Sequence, residues 1–451
     1  MITEIHWPTL KGTSRARYES PRPTKADKVG PPLQAAIDPG LTLDADKHEA
    51  IHYLSQLSHD NSSVQTWRPT SRYPRPGEYR VNNSGAIPVV EYITSDGARC
   101  TTVTGARRSS QTDSWLQSKG VPDQDLDAYY FALGAQDVGA SFFVTSRSSL
   151  LGTPDLRLRT NAVSPHEALS VIGLSMRLSG TILLGATPIF RDRVHTSWAP
   201  LIMCKRLLPE VWRLLERKSD WAPLLASASN RIESVLQLRD DILAESLPFL
   251  PSGRLRTFEA FEFMALMSDA TLDSLARSIN IALHLGLKPQ DCGWRKRAFL
   301  SSLERAAPRL RATLARPQVA ATISLLATLR NTVHSEPYGI ATVQDGHAPY
   351  AVPALLLPPE STVDFEGIAR SLGLQDHWRT AIQDMYLLDP TALANDITRL
   401  LVNTCDEIIA STPWPNPEVP STTRISNPRE PHTSIFSDFF QERIALLYGL
   451  N

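Results

Sequence analysis

The stretch TFEAFEFMALMSDATLDSLARSINIALHLG, residues 257–286, decides the fold of the second half of this chain. Its apolar residues recur every three or four positions, which is the spacing of one face of an α-helix. Thr257 is the expected N-cap, and Gly286 is expected to end the helix. A second long helix is predicted over RPQVAATISLLATLRNTVHSE, residues 316–336.

The rest of this half supports a helical bundle. LDPTALANDITRLLVNTCDEIIAS, residues 388–411, predicts a third long helix with Asp389 as its cap. SLGLQDHWRTAIQDMYLL, residues 371–388, predicts a shorter one. The stretch 337–362 contains several Pro and Gly residues and is predicted to be a long loop. We therefore predict an all-α domain.

The first half has a different pattern. AIPVVEYI (86–93) and ASFFVTS (140–146) are β-rich runs bounded by turn residues, and they predict buried strands. DLDAYYFALGAQDVG (125–139) predicts a helix between them, closed by a glycine. A capping box of Ser164 and Glu167 begins another helix. Strands that alternate with helices predict an α/β layer.

The predicted fold class is therefore α+β and multidomain, with an α/β domain followed by an all-α helical bundle. A turn-rich stretch, LPFLPSG (247–253), marks the boundary between the two halves. The last sixteen or so residues form an amphipathic helix that docks on this chain or in the groove of a partner protein. In chain order the predicted regions are an extended basic arm (1–35), the α/β domain (36–162), a helical connecting region (163–250), the all-α domain (256–412) and a Pro-rich linker with its C-terminal helix (413–451).

The composition limits the cellular setting. The formal net charge is -1, which argues against general attraction to nucleic acid or membranes. The four cysteines lie far apart without a CxxC pair, so neither a zinc site nor a disulfide framework is indicated. The first residues do not resemble a signal peptide, and no apolar run is long enough to span a bilayer. We expect a cytoplasmic protein with no membrane partner.

Three polar residues stand out near the end of the second long helix. Arg330 and His334 lie four positions apart, hence on one helix face, and Asn331 lies beside them. A histidine can move protons near neutral pH, and an arginine can bind a phosphate and stabilise the charge of its transition state. The trio suits metal-independent RNA cleavage. The alternative is an Arg/His pair that only completes the end of a core helix.

The block from 257 to 411 resembles the HEPN superfamily of small helical bundles, through its long first helix, its basic connecting segment and the motif LRNTVHSE. HEPN motifs begin with Arg, usually followed by a polar residue, and end in His, which matches Arg330, Asn331 and His334. The family commonly adds an acidic or polar residue from the earlier helix. Asp273 is the best match for it and Asp269 the second.

The HEPN resemblance implies a function and a partner. Many members are RNases in bacterial defence or toxin–antitoxin systems, and their active sites usually form across a homodimer. It thus implies an RNA-binding, metal-independent endoribonuclease without a cofactor. Three residues separate Arg330 from His334, where the family has four to six, and Ser335 stands at the usual histidine position. The alternative is a catalytically inactive interaction or RNA-binding module.

A basic segment follows the first long helix. Trp294 offers a stacking ring, and the positive charges are expected to contact RNA. The alternative is an ordinary solvated helix face. The residues predicted to bind RNA are Arg295, Lys296, Arg297, Arg309 and Arg311, with Arg305 and Arg316 adding to the local charge.

The α/β region resembles the last third of a PIN-type nuclease domain. Asp127 opens a helix, and a glycine turn leads to a buried strand that ends at Thr145. The family places an acid two residues later, where this chain has Arg147. Asp44 is the predicted acid of the first strand. The resemblance implies a metal-dependent nuclease as a further alternative, or a degenerate PIN-like scaffold because Arg147 weakens the metal site.

HEAIH, residues 48–52, matches the zinc-protease pattern H-E-x-x-H. That pattern puts two histidines on one helix face with a glutamate as base. Charged residues precede it here, where metalloproteases have apolar ones. We therefore interpret it as a chance match and assign no metal ligands.

Overall fold

The computed structural model describes seventeen stretches of the chain, and its contacts divide them into two compact units. The α/β unit comprises the described residues from 33 to 194, together with 244–245 and 445–449. The helical unit comprises those from 195 to 243 and from 256 to 444. The described stretches are 33–41, 50–51, 53–54, 64–83, 87–94, 96–104, 108–178, 181–186, 191–195, 220–245, 256–335, 339–343, 352–357, 359–374, 379–382, 385–415 and 438–449.

Seven strands of the described residues form one sheet in the α/β unit, in the order β5-β4-β3-β2-β1-β6-β7. The five strands from β3 to β7 in this order run parallel, and β3, β4 and β5 pair antiparallel as a meander at the other edge. The strands are β1 (Leu33–Ile37), β2 (Val64–Pro69), β3 (Glu78–Asn82), β4 (Val89–Ile93), β5 (Arg99–Val103), β6 (Phe142–Val144) and β7 (Ala162–Val163).

Besides the helical residues 50–51 and 53–54, five helices between residues 110 and 178 accompany this sheet, and the second of the five packs directly on β3. Gly134 on that helix allows the close approach, because a Cβ there would lie 2.6 Å from a methyl carbon of Val81. The buried Tyr79 hydroxyl donates to the Phe131 carbonyl oxygen at 2.7 Å. The helices are α1 (Ser110–Ser118), α2 (Leu126–Asp137), α3 (Ser148–Leu151), α4 (Pro154–Thr160) and α5 (Pro165–Leu178).

The predicted capping box is present at the start of α5. The Glu167 backbone N–H donates to the Ser164 hydroxyl at 3.3 Å, and the Ser164 N–H donates to the Glu167 carboxylate at 2.8 Å. The region after α5 was predicted to be helical, and it also contains two paired strands. These strands are β8 (Thr181–Ala186) and β9 (Arg191–His195).

The helical unit contains four long helices in its described residues; three of them lie at the stretches predicted as long helices, and the first lies in the region predicted to be helical. Asp389 caps the last of them and accepts backbone N–H bonds at 2.9 and 3.2 Å, which confirms the predicted cap. The helices are α6 (Ala222–Glu245), whose last two residues cluster with the α/β unit, α7 (Thr257–Ala282), α8 (Arg297–Ala306), α9 (Pro308–Leu314), α10 (Pro317–Ser335), α11 (Pro359–Ser371) and α12 (Pro390–Ser411).

The structure differs from the prediction over residues 337–388, where a long loop and then a short helix were predicted. The helix precedes the predicted position, at α11, and a four-stranded antiparallel sheet surrounds it in sequence. The prediction of a helix over 371–388 is therefore wrong. The strands of this sheet are β10 (Gly339–Val343), β11 (Val352–Leu357), β12 (Arg379–Ile382) and β13 (Met385–Leu388).

The α+β multidomain prediction is confirmed, since a mixed sheet precedes a mostly helical region. The predicted domain boundaries stay a prediction. In the part of the chain that the structure describes, no helix is both long and apolar enough to cross a membrane.

Candidate functional site

The first candidate site lies where α7 and α10 pack together. Arg330 on α10 has 43% of its side chain exposed, and its Nε lies 3.3 Å from a carboxylate oxygen of Asp269 on α7. The sequence ranked Asp273 ahead of Asp269 as the acidic partner, but the ion pair is made by Asp269. Asp273 lies one helical turn further along α7.

The charged groups around Asp269 have opposite effects on the pKa of its carboxyl group. Burial raises the pKa of its carboxyl group, and the neighbouring Asp273 carboxylate adds to that rise. The guanidinium groups of Arg330 and Arg295 oppose it. The structure therefore brings Arg295 of the basic segment to the same cluster as Arg330. Two carboxylates and two guanidinium groups meet at this face of the helical unit.

The other two members of the motif follow on the same helix. Asn331 is exposed. The helix α10 continues through Ser335, so His334 follows Arg330 by one regular turn and is rotated from it by about 40°. The side chain of His334 lies outside the described residues.

The basic segment is exposed except at its aromatic residue. Arg295, Lys296, Arg297 and Arg309 are exposed, and Arg311 is half-buried. Trp294 is only 7% exposed; its indole N–H donates to the Leu272 carbonyl oxygen at 2.8 Å, and its ring packs edge-on against Phe299. The prediction that Trp294 offers a stacking ring is therefore wrong, because this side chain belongs to the core.

A second cluster lies at the carboxyl end of the parallel strands in the α/β unit. Asp38 directly follows β1 and is only 1% exposed. Its carboxylate accepts bonds from the Thr145 hydroxyl at 2.6 Å and from the Arg147 Nε at 2.7 Å. Arg147 also donates to the carboxylate of Asp125, the residue before α2. The bonds to Asp38 are the main reason why the pKa of Arg147 is raised.

A glycine and a serine complete this cluster. A Cβ at Gly40 would lie 2.4 Å from a guanidinium nitrogen of Arg147, so any larger residue there would displace that guanidinium group. The Ser149 hydroxyl donates to Asp125 at 2.6 Å. We name the group Asp38, Asp125, Thr145 and Arg147 the carboxylate clamp. It joins the ends of β1 and β6 to the start of α2.

The carboxylate clamp does not fit a divalent metal ion. A guanidinium group occupies the space between the two carboxylates and uses their oxygen atoms, which a magnesium or manganese ion would need as ligands. Within the described ranges, no group of three or more His, Cys, Asp or Glu side chains can hold a metal ion.

A pocket of about 330 Å³ opens at the ends of β2 and β3. Tyr130 forms one wall and donates to Asp113 at 2.9 Å; burial and the Asp113 carboxylate raise the pKa of this tyrosine to about 12. Arg108 binds both Asp113 and Asp127. The polar lining is completed by Thr70, Ser71, Arg80, Asn82 and Asn83.

The sequence analysis missed both carboxylates of the clamp. It named Asp44 for the first strand, and that residue lies outside the described residues, as do His48, Glu49 and His52 of the HEAIH match. It named Asp127 for the helix start, but Asp127 is exposed and pairs with Arg108. The missed signal was LQAAIDPG, a short apolar run that ends in a turn at Asp38.

No family model, no curated protein and no solved structure matches this chain. The two resemblances therefore rest on the residues quoted from the sequence. In general form, an N-terminal mixed sheet with helices and a mostly helical second part are compatible with these resemblances.

Proposed function

We propose that this chain is an RNA-binding protein whose helical unit carries a HEPN-like, metal-independent endoribonuclease site centred on Arg330. The observation that carries the proposal is the half-exposed Arg330 guanidinium, held by Asp269 on the neighbouring helix and close to the positive charge of Arg295. An exposed Asn331 and a histidine one turn later complete the motif.

The proposed reaction needs no metal ion. The 2′-oxygen of a ribose attacks the adjacent phosphorus, and the bond from that phosphorus to the 5′-oxygen breaks. In this proposal His334 takes the proton of the attacking 2′-hydroxyl and delivers it to the departing 5′-oxygen, which gives a 2′,3′-cyclic phosphate and a 5′-hydroxyl. Arg330 stabilises the negative charge that develops on the phosphate oxygens. Asn331 orients the phosphate, while Asp269 and Asp273 hold and tune the arginine. The exposed Arg295, Lys296, Arg297 and Arg309 and the half-buried Arg311 bind the rest of the RNA.

The experiment is cleavage of single-stranded RNA by the purified full-length protein in EDTA. We expect Arg330→Ala and His334→Ala each to lower the rate at least a hundredfold, since both groups act in the transition state. Arg399→Ala is the matched control, because Arg399 also forms an Arg–Asp pair on a long helix of the same unit. Wild-type rates from the Arg330/His334 double variant would contradict the proposal.

A second candidate function is a non-catalytic interaction or RNA-binding module. It is favoured by the ion pair that ties α10 to α7 through Arg330 and Asp269, which also explains the arginine as a structural contact. The short spacing to His334 favours it as well. Retained RNA affinity with no cleavage, in EDTA or with added metal ions, would select this candidate.

A metal-dependent PIN-like nuclease is the least favoured alternative. The parallel order β3-β2-β1-β6-β7 supports a PIN-like arrangement of the sheet. The carboxylate clamp argues against metal-dependent catalysis in the α/β unit, because Arg147 neutralises the carboxylates that would bind the metal. Cleavage that requires manganese and survives loss of Arg330 would favour this alternative.

A further inference from the structure

One face of the meander β3–β5 consists mostly of exposed or half-buried side chains. Its other face is buried: Tyr79 and Val90 point towards α2 and are completely inaccessible. On the open face Arg80, Glu91 and Thr101 stand opposite one another across the three strands. Large apolar side chains exposed at this edge of the unit are Tyr73, Ile87 and Val103.

Tyr73 lies on this open face in the loop between β2 and β3. Its side chain is 55% exposed. The guanidinium carbons of Arg80 and Arg99 lie 5.9 and 5.3 Å from the centre of its ring, within the range of a cation–π contact. The buried Pro74 follows it directly and anchors the loop. The ring is thus held between two positive groups while much of it stays accessible.

The surroundings of Tyr73 are positively charged. Arg68, Arg72, Arg75 and Arg99 are exposed, and no carboxylate of the described residues forms an ion pair with any of them. Only Arg80 is neutralised, by Glu91 across the sheet. Arg99 contacts the ring, Arg72 and Arg75 lie within two residues of Tyr73 in sequence, and Arg68 lies beside Glu78 in the register of β2 and β3. The arginines outnumber the carboxylates Glu78 and Glu91, which leaves a local positive charge on a chain whose net charge is only -1.

We propose that this face, named the Tyr73 surface and made of Arg68, Arg72, Tyr73, Arg75 and Arg99, binds single-stranded nucleic acid. An unpaired base stacks on the Tyr73 ring, and the four arginines contact the phosphates on either side. The bases of a duplex cannot stack on the Tyr73 ring, because they are already paired and are covered by the neighbouring base pairs. The surface lies in the α/β unit, so the proposal does not depend on the ribonuclease site.

The pocket of about 330 Å³, which α2 lines on one side, adjoins this surface at Arg80. Thr70 and Ser71 precede Tyr73 in the same loop, and Arg80 contributes to both the pocket and the ring contact. The amide groups of Asn82 and Asn83 supply donors and acceptors that suit the edge of a base. When one base of a nucleic-acid strand stacks on Tyr73, the polar groups of the pocket are therefore available to a neighbouring base.

The test is fluorescence anisotropy of labelled twelve-nucleotide probes with the full-length protein. The probes are oligouridine RNA, oligothymidine DNA and a DNA duplex. Oligothymidine has no 2′-hydroxyl and cannot undergo the proposed cleavage, so its binding is measured without loss of the probe. We expect both single strands to bind more tightly than the duplex. Equal or tighter duplex binding would overturn the proposal.

Variants locate the binding. We expect Tyr73→Ala to weaken oligothymidine binding roughly tenfold, Tyr73→Trp to preserve it, and Arg99→Ala to reduce its salt dependence by about one phosphate contact. The matched control is Arg159→Ala, because Arg159 also stacks on an aromatic ring, that of Trp115 at 4.9 Å, on the same unit. Wild-type affinity of Tyr73→Ala, or an equal loss in the control, would overturn the proposal whatever the Arg330 variants do.

Discussion

Arg147 shows how one side chain decides what an arrangement of carboxylates can do. Asp38 and Asp125 lie at the carboxyl end of a parallel sheet, where ligands of α/β proteins commonly bind. With a third carboxylate they would attract a cation. With an arginine between them, the negative charge is already balanced inside the protein, and the bonds connect three elements of the fold.

The carboxylate clamp should therefore contribute to stability. We expect Arg147→Ala to lower the free energy of unfolding by about 2–3 kcal/mol, because the almost fully buried Asp38 would lose its charge partner while Arg147 itself is partly exposed. Urea unfolding measures this. Lys119→Ala is the matched control: its pair with Asp155 is exposed, and its loss should cost at most about 1 kcal/mol. Equal losses in the two variants would contradict a buried clamp.

At this scale the sequence predicted part of the clamp. Arg147 and Thr145 were found, because a buried strand with a turn before it is a local pattern. Asp38 and Asp125 were not, because their role depends on β1 lying beside β6, more than a hundred residues away in sequence. Trp294 was misjudged for a related reason: only packing against Phe299 shows that it is buried.

Among the elements, the helices were predicted better than the strands. Caps and periodicity lie within a few residues of each other, and so Ser164, Glu167 and Asp389 marked real helix starts. The residues of β12 and β13 were predicted to form a helix, because their apolar residues also occur at helical spacing. Their pairing with each other and with β11 is a non-local contact that a single sequence does not display.

The C-terminal helix, α13 (Asp438–Tyr448), makes a contact within the α/β unit at its end. Arg177 on α5 lies 3.9 Å from the centre of the Tyr448 ring and donates to the Leu447 carbonyl oxygen at 2.5 Å. Gly173 allows this, because a Cβ there would lie 2.1 Å from the same oxygen. Of the two predicted alternatives, docking on the chain's own surface agrees with this packing.

This contact gives a prediction for α13. We expect Gly173→Ala to displace the end of α13, since the added methyl group meets backbone atoms that cannot rotate away. Amide hydrogen exchange over residues 438–449 should become at least tenfold faster. In the control Gly367→Ala, where the methyl group meets no atom within 4 Å, protection of α13 should be unchanged and the host helix α11 slightly stabilised. Unchanged exchange in Gly173→Ala would show that α13 does not depend on this contact.

The whole molecule combines two units with different candidate sites. The α/β unit carries the Tyr73 surface, which we propose to bind single strands, and the helical unit carries the Arg330 cluster. In the two proposals, the α/β unit binds a single strand of nucleic acid and the helical unit cuts or binds RNA. Loss of Tyr73 should then affect affinity for DNA and RNA alike, whereas loss of Arg330 should affect RNA cleavage. These separable effects distinguish two sites from one.

The HEPN resemblance also implies a homodimer, and α7 carries a feature that suits one. Phe263 and Ile281 are exposed and lie eighteen residues apart, which is five full turns, so they stand on one line along the helix. Single exposed apolar side chains are common on monomers, so the expected homodimer follows from the HEPN resemblance and these two residues only mark the face to test. We expect light scattering after gel filtration to give twice the mass of the chain. The Phe263→Glu variant should shift the measured mass towards that of the monomer and should slow RNA cleavage.

Val103→Glu, which adds the same charge at another exposed apolar position, should leave the mass unchanged. A monomer at every concentration, with RNA cleavage intact, would mean that one chain holds a complete site and that the Arg330 cluster does not need a second copy.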